Sequence, residues 1–226
     1  VDTFTFKSFN PFSYAYYITT GNVDTIRNNF KAVANVSADP CKVGYTNGFC
    51  NVCGKYEMPA LTTDKYDLDN DGAKDNVYEI SNAGELHWFR DHVNSGNVNA
   101  NAVLLCDITD NDGVLTGYGT VARDTSTFRK WIPIGNATNK YNGNFNGQGF
   151  TINGLFTDAA SVAYGGLFGY VGSSAVIEEI CIVYSFFKGG QYVGGIVGRN
   201  EGTVNNCYAL YTVVTGDAYV GGIVGY

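Results

Sequence analysis

The sequence has few basic residues, few histidines and no long apolar segment. Its 226 residues include 14 Lys and Arg against 21 Asp and Glu, which gives a formal net charge of −7. Because no Lys/Arg cluster is present to neutralise phosphate groups, nucleic acids and anionic membranes are poor partners. No segment approaches the run of about 18 apolar residues that a membrane-spanning helix needs. Aromatic residues make up 15% of the chain, which is too many for a disordered protein.

Residues suited to catalysis are also scarce. His87 and His92 are the only histidines and lie on one short segment, and no H-E-x-x-H zinc-protease motif is present. Glu178 and Glu179 are adjacent, so on a strand their side chains point to opposite faces. Other charged residues of the C-terminal half are spread over predicted turns, namely Lys188, Arg199, Glu201 and Asp217. The sequence therefore predicts no catalytic site.

A glycine-rich repeat is the strongest pattern in the sequence. The pattern Gly-Gly-aliphatic-x-Gly occurs at residues 165–169, 194–198 and 221–225, so the copies start 29 and 27 residues apart. A unit of this size, with two or more short strands, cannot bury its own apolar face. The repeat therefore favours a mostly β solenoid of stacked coils. A β-sandwich with Gly-rich hairpins is the alternative, but it gives no reason for near-identical pentapeptides at a constant period.

Alignment of the segments between the motifs supports stacked coils. The paired apolar positions are Ile177 with Val204, Ile180 with Cys207 and Ile182 with Ala209. The polar pairs Glu178-Glu179 and Asn205-Asn206 also fall opposite each other. In stacked coils, each pair would point to the same side on successive turns.

Three stretches of sequence carry a family resemblance. Residues 131–135 (Trp-Ile-Pro-Ile-Gly), residues 141–155 and the Gly-Gly-Ile-Val-Gly repeats resemble the GLUG-motif proteins of bacterial cell surfaces, over about residues 78–226. The resemblance implies a right-handed parallel β-helix in a secreted or surface-anchored, adhesin-like protein. The motif also occurs beside protease domains, as in the IgA-specific metalloendopeptidases, so it implies a scaffold more than an activity.

The chain before the repeats is predicted to divide into three parts. Residues 1–60 form an irregular Cys-containing segment that matches no family, residues 61–80 an acidic loop, and residues 81–99 a capping helix. The helix is expected over 81–94, with Ser81 or Asn82 as its N-cap and Leu86, Phe89 and Val93 on one face. The β-helix would follow over 100–226. Since the last motif copy lies at the end of the sequence, we expect further repeats in the parent protein or end-to-end self-association, as in an extracellular filament.

The acidic loop has calcium-loop spacing. The predicted ligands are the carboxylates of Asp67, Asp69, Asp71 and Asp75 and the backbone carbonyl of Ala73. An EF-hand would place Glu where Tyr78 stands, so the pattern favours a thrombospondin-repeat-like or dockerin-like structural loop. The alternative is an acidic turn without metal.

Six cysteines fall into two groups. Cys41, Cys50 and Cys53 resemble one half of a zinc knuckle but lack an adjacent fourth ligand. Zinc would require the N-terminal segment to fold back onto the two histidines, so a disulfide between two of the three is the favoured alternative. The remaining three, Cys106, Cys181 and Cys207, are predicted to be buried free thiols.

Tyrosine, a side chain suited to binding, recurs through the repeats. The repeats contain Tyr164, Tyr170, Tyr184, Tyr192, Tyr208, Tyr211 and Tyr219. On a rigid solenoid such side chains can contact a glycan or a protein, or they can pack inward.

The sequence thus favours a non-catalytic adhesion or scaffolding module that is secreted or on the cell surface, with a host or microbial glycan or protein as partner. A polysaccharide-active β-helix enzyme and a β-helix appendage of a surface protease are the alternatives.

Overall fold

The computed structural model describes residues 45–117 and 119–226. Contacts divide the chain into two units, residues 1–46 with 50–55, and residues 47–49 with 56–226. The helix α1 spans Ala83–Asn94. The described strands are β1 (Tyr45–Thr46), β2 (Phe49–Cys50), β3 (Ala60–Thr62), β4 (Val77–Ile80), β5 (Asn101–Leu104), β6 (Ile108–Thr109), β7 (Leu115–Gly117), β8 (Thr120–Val121), β9 (Asn144–Asn146), β10 (Thr151–Asn153), β11 (Phe156–Asp158), β12 (Phe168–Val171), β13 (Val176–Glu178), β14 (Cys181–Val183), β15 (Phe186–Lys188), β16 (Val197–Asn200), β17 (Thr203–Asn205), β18 (Tyr208–Leu210) and β19 (Val213–Thr215).

The second unit consists mostly of short parallel sheets, to which successive repeats contribute one strand each. Three strand orders run through the repeats: β17-β13-β9-β5-β4-β3, β18-β14-β10-β6 and β11-β15-β19, and β12 pairs with β16. In residues 164–226, all of which the structure describes, every strand pair is parallel. The alternative of a sandwich with antiparallel hairpins in this region is therefore wrong.

The register of the parallel sheets agrees with the alignment of the repeats. Ile177 lies opposite Val204, Ile182 opposite Ala209. Ile177 and Ile182 are fully buried, and so is Phe145, the neighbour of Ile177 on β9. Because side chains alternate between the two faces of a strand, the middle residue of β9, β10, β13 and β14 is buried in the core while its neighbours face outward.

The repeated glycines lie where adjacent backbones come too close for a side chain. A Cβ built at Gly195 would lie 2.5 Å from the carbonyl oxygen of Gly222 in the next repeat, and the Gly195 amide donates to that same oxygen at 3.2 Å. A Cβ at Gly198 would lie 2.5 Å from the carbonyl oxygen of Tyr192. At Gly225, the equivalent of Gly198 in the next copy, a Cβ would lie 2.6 Å from the carbonyl oxygen of Tyr219, so this backbone contact recurs between the two copies.

The helix α1 forms where its N-terminal signals predict it. The side chain of Asn82 accepts a hydrogen bond from the Glu85 amide at 2.9 Å, and the Ser81 amide donates to the Glu85 carboxylate at 2.6 Å, as in a capping box. Phe89 is fully buried, with its ring edge-on to those of Tyr141 and Phe145 at centroid distances of 6.2 and 5.7 Å. The helix thus joins the core of the parallel sheets.

The sequence predicted that the β-helix starts at about residue 100, but the parallel sheet begins upstream of that residue, at β4. The strand β4 precedes α1, and it pairs in parallel with β5, with Tyr78 opposite Ala102. The strand β3 then pairs with β4 in the antiparallel direction. Val77 and Ile80, at the two ends of β4, are both fully buried. A four-residue strand flanked by the acidic loop and the helix cap leaves too short a pattern for sequence periodicity to detect.

Candidate functional site

The acidic loop brings three of its carboxylates together. Oxygens of Asp67, Asp69 and Asp71 all lie within 4.8 Å of one another. Two residues of the loop have a positive φ: Asn70 at +58° and Gly72 at +89°. Backbone amides of the loop itself donate to these carboxylates: the Asp71 amide to Asp67 at 3.1 Å, and the Gly72 amide to Asp67 at 3.1 Å. Convergent oxygens of this kind suit a hard cation, and they equally suit a self-contained acidic turn.

The other two predicted calcium ligands have different surroundings. The Asp75 carboxylate accepts from the Leu68 amide at 2.6 Å and from the Asn101 amide group at 3.4 Å, and it is not part of the close group of three. The Ala73 amide donates to Asp71 at 2.7 Å. Asp75 therefore closes the loop and links it to β5.

The cysteines of the repeats are free thiols of intermediate exposure, rather than fully buried as the sequence predicted. Partial burial raises the pKa of Cys106, Cys181 and Cys207, so these thiols are poor nucleophiles at neutral pH. Cys181 lies opposite Tyr208, so Cys181 and Cys207 occupy different columns. In the first unit, Cys50 is buried and Cys53 exposed, on either side of a turn in which the Gly54 amide donates to the Cys50 carbonyl. Cys41 lies outside the described residues, so zinc and a disulfide both stay predictions for this group.

His87 lies in a buried polar network. The sequence did not indicate this network. His87 Nε2 lies 3.0 Å from the Asp110 carboxylate, and Arg90 Nη1 lies 2.7 Å from His87 Nδ1. Because guanidinium only donates, His87 Nδ1 is the acceptor and Nε2 carries the proton that Asp110 accepts. Arg129 also donates to Asp110, through Nε at 3.3 Å. The network thus joins α1 to the segment after β6 and to the segment before Trp131. Because His87 and Arg129 lie 23 and 19 residues from Asp110 in the sequence, no local motif reveals these contacts.

His92 lies at the other end of α1, among aromatic rings. Its ring stacks on Trp88 at 4.6 Å, and its Nε2 lies 3.3 Å from the Tyr78 hydroxyl. Asn97 donates an amide hydrogen bond to His92 Nδ1 at 3.3 Å. Burial lowers the pKa of His92. Since both ring nitrogens of each histidine already have partners, a zinc ion would have to displace one of these contacts.

The tyrosines of the repeats form stacked ladders. Tyr164, Tyr192 and Tyr219 stack with centroid distances of 5.4 and 5.0 Å, and Tyr184 stacks on Tyr211 at 5.3 Å. In each case the rings lie 11° from parallel. The ladders therefore use ring faces on one another. Tyr170 is instead buried, where it contacts Arg199 and Lys140 and donates to Glu201.

The charged residues of the repeats form surface ion pairs or lie singly. Lys188 pairs with Asp158 at 2.9 Å, and Lys140 with Glu201 at 2.8 Å. Glu178 accepts a hydrogen bond from the Asn146 amide group at 2.9 Å, and Glu179 occupies a turn with φ of +56°. The two glutamates therefore belong to different local structures.

Comparisons with known proteins give two relatives, each matched over part of its length. The chain is 31% identical over 139 residues to a protein of Evansella cellulosilytica named as a Gly-rich membrane protein, covering 60% of this chain and 15% of the relative. It is 38% identical over 81 residues to halomucin of Haloquadratum walsbyi, covering 35% of this chain and 1% of the relative. No protein-family model and no solved structure matches, so the GLUG resemblance stays a prediction. Across the residues that the structure describes, no helix has the length and hydropathy required to cross a bilayer.

Proposed function

We propose that this chain is a non-catalytic module of a surface or extracellular protein, built as a parallel β-helix that presents a rigid surface to a partner. The observation that carries the proposal is the repeated parallel register, in which strands of three successive repeats lie side by side. A solenoid built in this way offers the same outward positions at every turn. We infer a right-handed helix because parallel crossover connections are almost always right-handed.

The names of the two relatives support a surface location. One is named as a Gly-rich membrane protein and the other as halomucin. Because this chain spans only a small share of either relative, the activity and partners of the whole protein are part of this proposal. The GLUG resemblance adds the expectation of a secreted or surface-anchored adhesin-like protein.

The exposed tyrosines support a binding role with a glycan or a protein. Tyr184, Tyr208, Tyr211 and Tyr219 are exposed on successive repeats. Tyrosine is enriched at interfaces because its ring and its hydroxyl both make contacts. Within this proposal α1 acts as a cap, since its apolar face packs into the core beside the edge of the first coils.

The proposal is tested by incubating the chain with arrays of surface glycans and surface proteins. We expect retention on at least one class with no change in its mass. Cleavage of a glycan would instead favour the polysaccharide-active alternative. A catalytic domain in the same gene would favour the appendage of a protease. Absence of retention on both arrays would contradict a binding module.

We further propose that the acidic loop binds calcium through Asp67, Asp69 and Asp71. Three converging carboxylates repel one another without a cation, so calcium should stabilise the loop that leads into β4. We expect calcium to raise the thermal midpoint relative to a chelator, and the double variant Asp69→Ala, Asp71→Ala to lose this difference. Asp217→Ala, an exposed change elsewhere, is the matched control. Equal midpoints, with equal protease resistance of residues 1–80 in both conditions, would contradict calcium binding.

A further inference from the structure

Two adjoining cavities form a polar groove that runs from the C-terminal end of α1 along the six-stranded sheet to β13. One has a volume of about 690 Å³ and is lined by Leu61, Tyr78 and His92 among others, and the second has a volume of about 490 Å³. Both are lined by Asp75, Asn99 and Asn101. We call their combined surface the asparagine groove. Each cavity has the size of a small-molecule site.

The sheet register places groove residues side by side on neighbouring strands. Ala102 lies opposite Phe145, so Asn101 adjoins Asn144, and Asn144 lies opposite Val176. The next residues along these strands, Ala102, Phe145 and Ile177, are buried, so the groove lies on the opposite face from the core. Because strands are about 4.8 Å apart, the three strands β5, β9 and β13 span about 10 Å, and the first cavity extends the groove beyond β5 to Asn76 and Tyr78. A groove of this extent suits a chain of more than one unit better than a single small molecule.

Three carboxamides in the groove are available to a ligand. Asn76, Asn99 and Asn144 form no side-chain hydrogen bond with any residue of 45–117 or 119–226; Asn76 lines the first cavity, Asn144 the second, and Asn99 both. The backbone of Asn144 is held by a neighbouring strand. The Asn144 amide donates to the side chain of Asn101 at 2.8 Å, and that side chain also donates to Asp75. The groove therefore holds uncommitted amide groups.

We propose that the asparagine groove binds a neutral oligosaccharide. A carboxamide offers both a donor and an acceptor, which matches the paired hydroxyl groups of a sugar, and Leu61 and Tyr78 supply apolar contact at one end. Apart from Asp69 of the proposed calcium loop, the groove carries Asp75 and Glu178 against Lys74, so it repels acidic polysaccharides. The proposal rests on the binding role given above and assigns it to this groove.

The groove is a better site for a sugar chain than the tyrosine ladders are, and its lining suits a sugar better than a protein. The ring faces of the ladders are occupied by one another at 5.0 to 5.4 Å, which leaves no space for a sugar between successive rings. A protein partner would favour a buried centre with aromatic anchors, whereas amides and carboxylates are the most numerous side chains of the groove.

The test is calorimetric titration of the full chain with cellohexaose, maltohexaose, mannohexaose and chitohexaose, and with an oligogalacturonate as the acidic probe. We expect binding of at least one neutral probe and none of the oligogalacturonate. The triple variant Asn76→Ala, Asn99→Ala, Asn144→Ala should lose about tenfold or more in affinity, because three hydrogen bonds to the sugar are removed. Asn205→Ala, an exposed change on β17 outside the groove, should bind like the original chain. Circular dichroism of each variant checks that the fold is retained.

Several outcomes would overturn the groove proposal. These are binding to none of the neutral probes, unchanged affinity of the triple variant with its fold intact, and preference for the oligogalacturonate. If a glycan or protein array retains both the original chain and the triple variant equally, the binding module stands and the groove assignment fails. If neither array retains the chain and no probe binds, both proposals fail. Retention on proteins alone, lost in the triple variant, would overturn the sugar ligand and favour a peptide in the groove.

Discussion

At the scale of single residues, the repeated glycines differ in the space that a side chain would find. Gly195 and Gly222 occupy the same place in successive motif copies, yet their surroundings differ. A Cβ at Gly195 would meet the Gly222 carbonyl oxygen at 2.5 Å, whereas one at Gly222 would meet nothing within 4 Å among the described residues. Neither residue has a positive φ, so the difference between them is steric.

This pair gives the first prediction. Gly195→Ala should lower the free energy of unfolding by about 1–3 kcal/mol, because the added methyl group forces the two backbones apart. Gly222→Ala, the matched control, should change it by less than about 0.5 kcal/mol. Chemical denaturation of the two variants measures the difference. Equal losses in both would show that the close approach at Gly195 does not limit stability.

At the scale of elements, α1 links the core of the sheets to two polar clusters. Its apolar face is buried through Leu86, Phe89 and Val93. Its other contacts differ at the two ends: His87 is tied to Asp110, and His92 lies between Trp88 and Tyr78 beside the asparagine groove. The helix therefore both completes the core and borders the proposed site.

The burial of Phe89 gives the second prediction. Phe89→Ala should lower the free energy of unfolding by about 3–5 kcal/mol, because it removes a fully buried ring that contacts Tyr141 and Phe145. Phe89→Leu retains most of the apolar volume and should cost clearly less. Urea denaturation followed by circular dichroism measures both. A loss as large for leucine as for alanine would contradict a role based on filled volume.

The third prediction concerns pH at the C-terminal end of α1. Burial holds the pKa of His92 below its ordinary value of 6.5, so the unfolded chain binds a proton more readily than the folded one. The stability that neutral His92 contributes is therefore present above pH 6.5 and is lost as the pH falls towards the lower folded pKa. The neighbouring groups that can titrate or carry charge are Tyr78, Lys74 and Asp75.

Two measurements check the third prediction. An NMR titration of the His92 ring should give a midpoint below that of a free imidazole, about 6.5. The thermal midpoint of the original chain should fall more between about pH 7 and pH 5 than that of His92→Gln, which cannot titrate there. Parallel pH profiles for the two proteins would be evidence against a contribution from His92.

At the scale of the whole molecule, stability should depend on how many neighbours each repeat has. Strands β13, β14 and β15 pair on both sides with strands of adjacent repeats. Strands β17, β18 and β19 pair on one side only within the part of the chain that the structure describes. In an array of this kind each unit is stabilised mainly by its nearest neighbours.

The fourth prediction follows from this arrangement and compares residues in the same column. Backbone amides of β13 and β14 should exchange hydrogen more slowly than the corresponding amides of β17 and β18, because opening a strand that is paired on both sides breaks two sets of contacts. Hydrogen-exchange mass spectrometry over peptides 176–183 and 203–210 measures the difference. Equal protection that depends on protein concentration would instead indicate that chains associate end to end.

The sequence predicted much of the periodic part of the fold. The spacing of the Gly-Gly motifs and the apolar positions between them indicated parallel neighbours in the register of Ile177 with Val204, since a repeated coil places the same residue type in the same column. The capping box of Ser81, Asn82 and Glu85 indicated the start of α1, because capping is a local interaction between residues close in sequence. Three acidic residues at alternate positions indicated the convergence of Asp67, Asp69 and Asp71 for the same reason.

Only the tertiary structure decided which distant residues meet. The contact of His87 with Asp110, the joining of β4 to β5, and the alignment of Asn101 with Asn144 across 43 residues depend on how the non-repeating segments return to the sheet. The sequence alone also left the faces of the tyrosines open. Those contacts arise from the path of the backbone as a whole, whereas repeats, caps and acidic turns arise from interactions between sequence neighbours or from one contact repeated at a constant period.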